Sequence, residues 1–280
     1  MPIEDSIASS PARRGDYNQP VDRFYSAISR HYHRLFPARQ PQLEFLAGLA
    51  GPPPARVVDV ASGTGEYVAA LHGLGYDAHG IEVDFDMVAA ARGRHPEIAR
   101  RLIHGDMLEL TDEVRGPCAL AYCIGNSLPH LAGPAEVREA ILQMWDLTAP
   151  AGRVVLQVVN FDRVLAGAQP AGGEEAELLF ELPSLSAADQ ESGVVELDRR
   201  YRIPRRRESD SADGAPLFLQ FESELRGGGA AHHSSLELLV LTRGRLAACL
   251  PPDATVRWHG DFAGVEWAAD SAATICVLSR

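Results

Sequence analysis

The sequence predicts an α/β fold built on a mostly parallel sheet with helices on both of its faces. Between residues 56 and 159, short apolar runs typical of buried strands alternate with segments whose apolar residues recur at helical spacing. After about residue 175 the pattern changes to an alternation of apolar and polar residues, which is typical of half-exposed antiparallel strands. We therefore expect an antiparallel β segment inserted into a parallel α/β sheet.

The composition is that of an acidic globular protein. The 280 residues are 46% hydrophobic, and 26 basic against 38 acidic residues give a net charge of −12. Such a body is a poor partner for phosphate backbones or anionic lipid, so we expect no nucleic acid and no membrane as partners. Four cysteines, no long apolar stretch and a polar first twenty residues predict a cytoplasmic protein with a mobile segment at residues 1–20.

The first half of the chain is predicted to form two helices and then the first strands and helices of the parallel sheet. Aromatic and aliphatic residues at helical spacing predict two helices, and Pro37 and the three prolines after Gly51 end them. Asp84 is a suitable N-cap for a later helix. The predicted elements are, in order, helices at 22–35 and 43–49, a strand at 56–60, a helix from 67 to 74, a strand at 78–81, a helix from 84 to about 96 and a strand at 102–103.

The second half completes that sheet and adds the antiparallel strands. Pro134 suits the first turn of a helix, whose inner face is apolar. After Thr242 a short helix is expected. The predicted strands are 118–124 and 154–159 in the parallel sheet, 195–203 and 219–225 in the antiparallel segment, and two closing strands around 256–258 and 274–278, with a polar connection at 204–214.

The strongest single motif is the glycine turn that follows the first strand, Asp59-Val60-Ala61-Ser62-Gly63-Thr64-Gly65. Glycine lets the backbone approach a ligand closely because no Cβ intervenes. The helix that follows points its first N–H groups at the same space. A turn with two glycines is a weak signal by itself, since it also occurs as a simple tight turn, but its spacing to other polar residues adds weight.

Polar side chains stand at the ends of the next three strands. Glu82 follows the second strand about twenty residues on, where a carboxylate can accept from both hydroxyls of a ribose. Asp106 follows the third strand and Asn126 the fourth. Because the carboxyl ends of parallel strands share one edge of a sheet, these groups are expected to converge on one crevice.

The charges around the turn favour a cationic ligand. The dinucleotide fingerprint requires a third glycine, and Val68 stands there instead. Asp59 before the turn and Glu66 after it would repel a pyrophosphate, whereas they suit a ligand with an ammonium and a sulfonium. That ligand is S-adenosylmethionine (SAM).

With these motifs the sequence resembles the class I SAM-dependent methyltransferases over residues 22–165 and 242–280. The resemblance implies a Rossmann-like methyltransferase fold with a seven-stranded sheet, in which Asp59 and the turn serve the methionine end of SAM. It further implies that Glu82 binds the ribose, and that Asp106 contacts the adenine amino group with the Met107 backbone beside it. The expected cofactor-binding residues are Asp59, Ala61, Gly63, Gly65, Glu82, Val83, Asp106, Met107, Cys123 and Ile124.

Four further segments resemble a narrower branch that includes glycine/sarcosine N-methyltransferase-like enzymes: residues 31–37, 125–130, 159–163 and 260–262. In that branch antiparallel strands inserted after the fifth strand help to cover the substrate. The resemblance therefore implies a SAM-binding domain at residues 21–174 and 241–280, with residues 175–240 as its cover.

Methyl transfer needs an in-line nucleophile and the exclusion of water, and a base only where the nucleophile carries a proton. The candidates for catalytic roles are His130, Tyr32 and Asn126, with His259 as a further possible base. Each also has a structural interpretation: Tyr32 as a core or cover residue, His130 as a hydrogen-bonding group that orders its loop, and Asn126 as a turn residue. No His or Cys spacing indicates a metal site.

The sequence thus predicts an enzyme that transfers a methyl group from SAM to an amine or hydroxyl of a small molecule. Two alternatives remain: a nicotinamide-linked oxidoreductase on a similar sheet, and a non-catalytic module that binds SAM or a nucleotide. The sequence leaves open whether copies of the chain form a homo-oligomer.

Overall fold

The computed structural model of the chain describes residues 20–170, 178–189, 193–204, 217–227 and 230–280. The segment expected to be mobile, except Pro20, and nearly all of the polar connection at 204–214 lie outside these residues. Within the described residues, no helix combines the length and apolar character that a membrane crossing requires.

The main sheet has seven strands in the order β11-β12-β5-β4-β1-β2-β3. All neighbours are parallel except that β12 runs antiparallel to both β5 and β11, which confirms the predicted mostly parallel sheet. Its strands are β1 Arg56–Val60, β2 Asp77–Glu82, β3 Leu102–His104, β4 Cys118–Cys123, β5 Thr148–Val159, β11 Thr255–His259 and β12 Ala273–Ser279.

Helices cover both faces of this sheet. Val58 and Val60 of β1 belong to one apolar cluster, together with the inner face of α6, whereas Val57 belongs to a second cluster with residues of α2 and α3. This division follows from the two-residue period of a strand. The helices are α1 Pro20–Leu35, α2 Gln40–Ala50, α3 Glu66–Gly73, α4 Phe85–Arg94, α5 Leu110–Glu113, α6 Pro134–Leu147, α7 Phe161–Gly167 and α8 Arg243–Ala248.

A second sheet of five antiparallel strands has the order β10-β9-β8-β7-β6. Its apolar face packs on α1, where Ile28 and Leu35 share a cluster with Val195 and Leu197 of β8. Further along the same strand Tyr201 belongs to the cluster that includes α6, so the two sheets share one core. The strands are β6 Gln169–Pro170, β7 Leu178–Asp189, β8 Gly193–Ile203, β9 Phe218–Gly227 and β10 Ala230–Leu239.

The sequence predicted β8 and β9 but not their outer neighbours. In β7 the pairing with β8 shifts register between Leu182 and Leu185, around Pro183, which interrupts the alternation of apolar residues. β10 begins with a run of small and polar residues, among them His232 and His233, which pair with Leu225 and Glu224 of β9. Pairing with neighbours, not apolar content, makes these segments strands.

Candidate functional site

The glycine turn after β1 has the backbone geometry that its residues permit. Gly63 and Gly65 have φ values of 54° and 78°, and Ala61 adopts a φ of 64°, which is uncommon for a residue with a Cβ. The Ser62 amide donates to the Ile81 carbonyl at 3.0 Å, and this bond ties the turn to β2. α3 begins directly after Gly65 and directs its first N–H groups towards the turn.

Glu82 at the end of β2 supports this turn. Its Oε2 accepts from the Gly63 amide at 2.9 Å, and its Oε1 accepts from the Asp84 amide at 3.0 Å. Burial raises the pKa of the Glu82 carboxyl, although these backbone hydrogen bonds act in the opposite direction. The Val83 backbone also contributes a hydrogen bond, so three of the roughly four lone-pair sites of the carboxylate are used and one is left to accept from a ligand hydroxyl.

Asp59 is the most deeply buried acid at this edge of the sheet, with a relative exposure of 2%. Burial raises the pKa of its carboxyl well above the ordinary range; the Tyr122 hydroxyl beside it partly offsets this, and the Glu82 carboxylate raises the pKa further. In the part of the chain that the structure describes, no Arg or His lies within ion-pair distance of Asp59. An unpaired buried carboxyl is costly, and a cationic ligand would relieve that cost.

A cavity of about 320 Å³ opens at the carboxyl ends of β1 and β4. The strand order reverses there, because β1 stands between β4 and β2, and ligands of open α/β sheets bind at such a point. The cavity brings together seven of the residues that the sequence predicted: Tyr32, Asp59, Ala61, Gly63, Ile124, Asn126 and His130.

The other predicted cofactor-binding residues do not line this cavity. Glu82 reaches it indirectly through the Gly63 amide. Asp106 accepts from the Leu108 amide at 2.9 Å and so caps a short turn of helix after β3, and Val83 is 54% exposed. These six residues nevertheless lie at or shortly after the carboxyl ends of their strands, on the same edge of the sheet as the cavity. They are Gly65, Glu82, Val83, Asp106, Met107 and Cys123.

Two of the proposed catalytic side chains that line this cavity are Tyr32 and His130. A Cβ built on Gly63 would lie 3.2 Å from the Tyr32 ring, so that ring lies directly over the turn. Burial, with smaller effects of Glu82 and Asp59, raises the pKa of Tyr32. Burial lowers the pKa of His130 to about 4, which makes its imidazole neutral near pH 7.

Asn126 has a structural role in addition to lining the cavity. Its backbone φ is 73°, and its Oδ1 accepts from the Val159 amide at 2.9 Å, which joins the end of β4 to the end of β5. His259 lies elsewhere, in a separate pocket with Arg153, where its ring stands edge-on to Phe45. The structure therefore gives no support to His259 as a base at this site.

The cavity also contains residues that no sequence motif indicated. Thr64 and Gln42 line the cavity, and their buried side-chain oxygens Oγ1 and Oε1 have no hydrogen-bond partner within the described ranges. The second sheet contributes a charged residue and two aromatic residues to the opposite wall, Arg199, Tyr201 and Phe221. Which side chains of β8 and β9 face the cavity depends on how these strands pair with their neighbours, so no local motif in the sequence could have identified this wall.

The comparisons with known proteins agree with this geometry. The methyltransferase domain family matches residues 57–152, which run from β1 into β5. The dTDP-3-amino-3,6-dideoxy-alpha-D-glucopyranose N,N-dimethyltransferase of Streptomyces fradiae is 30% identical over 176 residues, which cover 60% of this chain and 68% of the relative. The glycine/sarcosine N-methyltransferase of Halorhodospira halochloris is 28% identical over 112 residues, which cover 39% of this chain and 42% of that relative.

The fold has solved neighbours as well. The CcbJ methyltransferase of Streptomyces caelestis superposes with a TM-score of 0.66 at 16% identity, over 91% of this chain and 97% of that protein. These matches decide against the nicotinamide-linked oxidoreductase and the non-catalytic module. The chain belongs to the class I SAM-dependent methyltransferases, enzymes whose cofactor is SAM and whose acceptors here are small molecules.

Proposed function

We propose that this enzyme methylates an amino group of a small molecule, with an amino sugar as the first acceptor class to test. The observation that carries the proposal is the continuous cavity between the turn after β1 and the inward face of the second sheet. Two curated relatives are N-methyltransferases, one of them acting on an amino sugar, and this supports nitrogen over the hydroxyl that the sequence left as an alternative.

The residues present fit the cofactor. The Asp59 carboxyl, which has no Arg or His partner among the described residues, suits its ammonium group. Gly63 has no side chain to cover its backbone, and a Cβ there would lie 3.2 Å from the Tyr32 ring. We assign the ribose hydroxyls to Glu82, and the adenine amino group to Asp106 with the Met107 backbone. The remaining contacts at the turn and strand ends are assigned to Ala61, Gly65, Val83, Cys123 and Ile124.

The second sheet gives the acceptor end of the cavity its wall. Leu182, Tyr201 and Phe221 line the cavity from this sheet, and α1 packs on the same face through Ile28. We therefore assign residues 175–240 to a cover over the substrate, on a SAM-binding domain of residues 21–174 and 241–280. Excluding water here would protect the reactive sulfonium and leave the acceptor as the available nucleophile.

Bound SAM supplies an electrophilic methyl group on a sulfonium. The chain's own task is to hold an unprotonated amine in line with that methyl group. His130 is neutral near pH 7, since burial lowers its pKa to about 4, and a neutral ring nitrogen can accept a hydrogen bond from the acceptor amine and so orient it. Tyr32 closes the turn side of the cavity, and Asn126 fixes the loop after β4 through Val159.

The direct test is turnover with methyl-labelled SAM and a panel of acceptors. The panel contains nucleotide-linked amino sugars, free amino sugars, glycine, sarcosine and the corresponding hydroxyl compounds. We expect an N-methylated product by mass spectrometry with equimolar S-adenosylhomocysteine (SAH), and slower formation of both by Asp59→Asn when SAM is below saturation. A product methylated only on oxygen would overturn the assignment to nitrogen.

The remaining expectations about partners and compartment are also proposals. All four cysteines are buried and unpaired, which supports a reducing compartment, and we propose the cytoplasm. The net charge of −12 supports a small acceptor and not a nucleic acid. Sedimentation at micromolar concentration would test whether the enzyme forms a homo-oligomer.

A further inference from the structure

One charged residue interrupts the apolar face of β8. The strand turns alternate residues towards α1 and the cavity, and four of the five inward positions are buried apolar or aromatic side chains with relative exposures of 0–2%. Arg199 occupies the middle inward position. The inward residues are Val195, Leu197, Arg199, Tyr201 and Ile203.

Two neighbours hold the guanidinium of Arg199 in place, and neither of them is a carboxylate. Its Nη2 donates to the Pro183 carbonyl at 2.9 Å, where the register of β7 shifts, and its Cζ lies 5.8 Å from the centroid of the Phe36 ring. Its Nε is buried and has no hydrogen-bond partner among the described residues. No carboxylate in those residues lies within ion-pair distance of it.

The neighbouring arginines on the opposite side of the strand behave differently. Arg200 and Arg202 both bind the Glu222 carboxylate, with N–O distances of 2.6 and 2.9 Å. On the outward face Arg200 and Arg202 are therefore paired with a carboxylate, whereas Arg199 on the inward face has no carboxylate partner among the described residues. Burial lowers the pKa of Arg199, but a guanidinium stays charged in any protein environment near neutral pH.

The position of this charge connects it with the acceptor. Arg199 lines the same cavity as Tyr32 and His130, and it enters that cavity from the second sheet, whereas Asp59 enters from the main sheet. A planar guanidinium with a free, desolvated N–H is suited to binding a carboxylate or a phosphate through two parallel hydrogen bonds.

We propose that Arg199 binds an oxyanion of the acceptor, a carboxylate or a phosphate. It thereby selects amines that carry such a group over amines that lack one. This rests on the proposed function, because it names the charge of the substrate in the same cavity. The acidic cofactor end and the basic acceptor end would then place the cationic methyl donor and the anionic acceptor in a single orientation.

The test compares matched acceptors in wild type, Arg199→Gln, Arg199→Lys and Arg200→Gln. The matched pairs are glucosamine 6-phosphate against glucosamine, and glycine against glycinamide, which differ in the anion. Because the amine of glycinamide is also less basic than that of glycine, kcat/KM is referred to the unprotonated amine. Arg200→Gln is the control, since it removes a charge from the adjacent outward position. We expect wild type to favour the anionic member of a pair by about tenfold or more in kcat/KM, mainly through KM. Arg199→Gln should lose that preference, Arg199→Lys should retain part of it, and Arg200→Gln should retain all of it.

A binding measurement separates this inference from the proposed function. Calorimetry on the SAH-loaded protein uses acetate and inorganic pyrophosphate as probes, with SAH affinity as the check on folding. We expect at least one of the two probes to bind wild type and Arg200→Gln with equal affinity. The same probe should bind Arg199→Gln at least about tenfold more weakly. Should the anion bind through Arg199 while no amine is methylated, the proposed function is wrong and the anion site stands. If wild type binds neither probe and shows no anionic preference, or if Arg199→Gln retains either property, the inference is wrong.

Discussion

The Gly63 amide donates to Oε2 of Glu82 at 2.9 Å, so the turn after β1 is joined to the end of β2. The other oxygen of the same carboxylate accepts from the Asp84 amide at 3.0 Å, one residue before α4 begins. A single side chain therefore holds the backbone of two loops that border the proposed cofactor site. Substitution of Glu82 should therefore weaken SAM binding in two ways: by loosening the two loops and by removing a direct contact with the cofactor.

Glu82→Gln should weaken SAM binding by about 1–3 kcal/mol, because the amide replaces a charged acceptor and presents N–H groups to backbone donors. Titration calorimetry with SAM and SAH measures the change. Glu109→Gln is the matched control, since Glu109 is exposed on the short helical turn after β3. Unchanged affinity in Glu82→Gln would contradict the assignment of that carboxylate.

Asp59→Asn should stabilise the cofactor-free protein on the alkaline side. A carboxyl whose pKa is raised in the folded state contributes stability at low pH and loses it as pH rises through the folded pKa. The asparagine variant has no proton to lose there, so its free energy of unfolding should fall less steeply with pH than that of wild type. Urea unfolding between pH 5 and about 8.5 tests this, and parallel curves for the two proteins would show that burial does not raise the pKa of Asp59.

The same carboxyl should make SAM binding dependent on pH. An ammonium group favours the ionised form of Asp59, so binding lowers the raised pKa and releases protons. We expect the SAM affinity of wild type to fall as pH decreases, and calorimetry in buffers of different ionisation enthalpy to report the protons released. Asp59→Asn should bind SAM more weakly, by about 1–3 kcal/mol, with little dependence on pH. Equal pH dependence in both proteins would assign the released proton to another group.

Gly80→Ala should destabilise the protein by about 1–3 kcal/mol through overpacking. A Cβ on Gly80 in β2 would stand 2.7 Å from Ser62 Oγ and 2.9 Å from Val68 Cγ2, so the turn or α3 must shift. Gly48→Ala in α2 is the matched control, because its Cβ would meet no atom within 4 Å and alanine favours a helix by about 0.5–1 kcal/mol. Thermal unfolding and SAM titration measure the stability and the SAM affinity of both variants. Equal stability of Gly80→Ala and Gly48→Ala would contradict close packing between β2, the turn and α3.

His130→Leu should lower kcat by about 5–150-fold if the imidazole orients the acceptor amine, because the loss of that hydrogen bond costs about 1–3 kcal/mol. Since burial lowers the pKa of His130 to about 4, wild type should show no inflection from this group between pH 6 and 8. SAM affinity should stay within about twofold of wild type, which amounts to less than about 0.5 kcal/mol. A variant with full kcat at every pH would leave His130 as a lining residue only.

Local sequence information was sufficient for the main sheet and for the acids at the carboxyl ends of its strands. Apolar runs marked β1, β4 and β5, and a carboxylate after β2 was placed correctly at the edge of the sheet, because strand period and chain direction fix which residues stand at carboxyl ends. The predicted N-cap is also confirmed: Asp84 Oδ1 accepts from the Met87 amide at 2.8 Å. These features depend on neighbours a few residues apart.

The acceptor end of the cavity was decided by tertiary structure. Asn126, selected as a catalytic candidate, also binds the Val159 amide, and His259, selected as a base, lies in another pocket.

Arg199 was not selected, because its inward direction depends on how β8 pairs with β7 and β9 and how that sheet packs on α1. The sequence by itself therefore determined the sheet, the turn and the acids at its edge, since strand period and capping act over short distances along the chain. Only the packing of distant segments determined which side chains share the cavity, because register and burial depend on contacts between residues far apart in sequence.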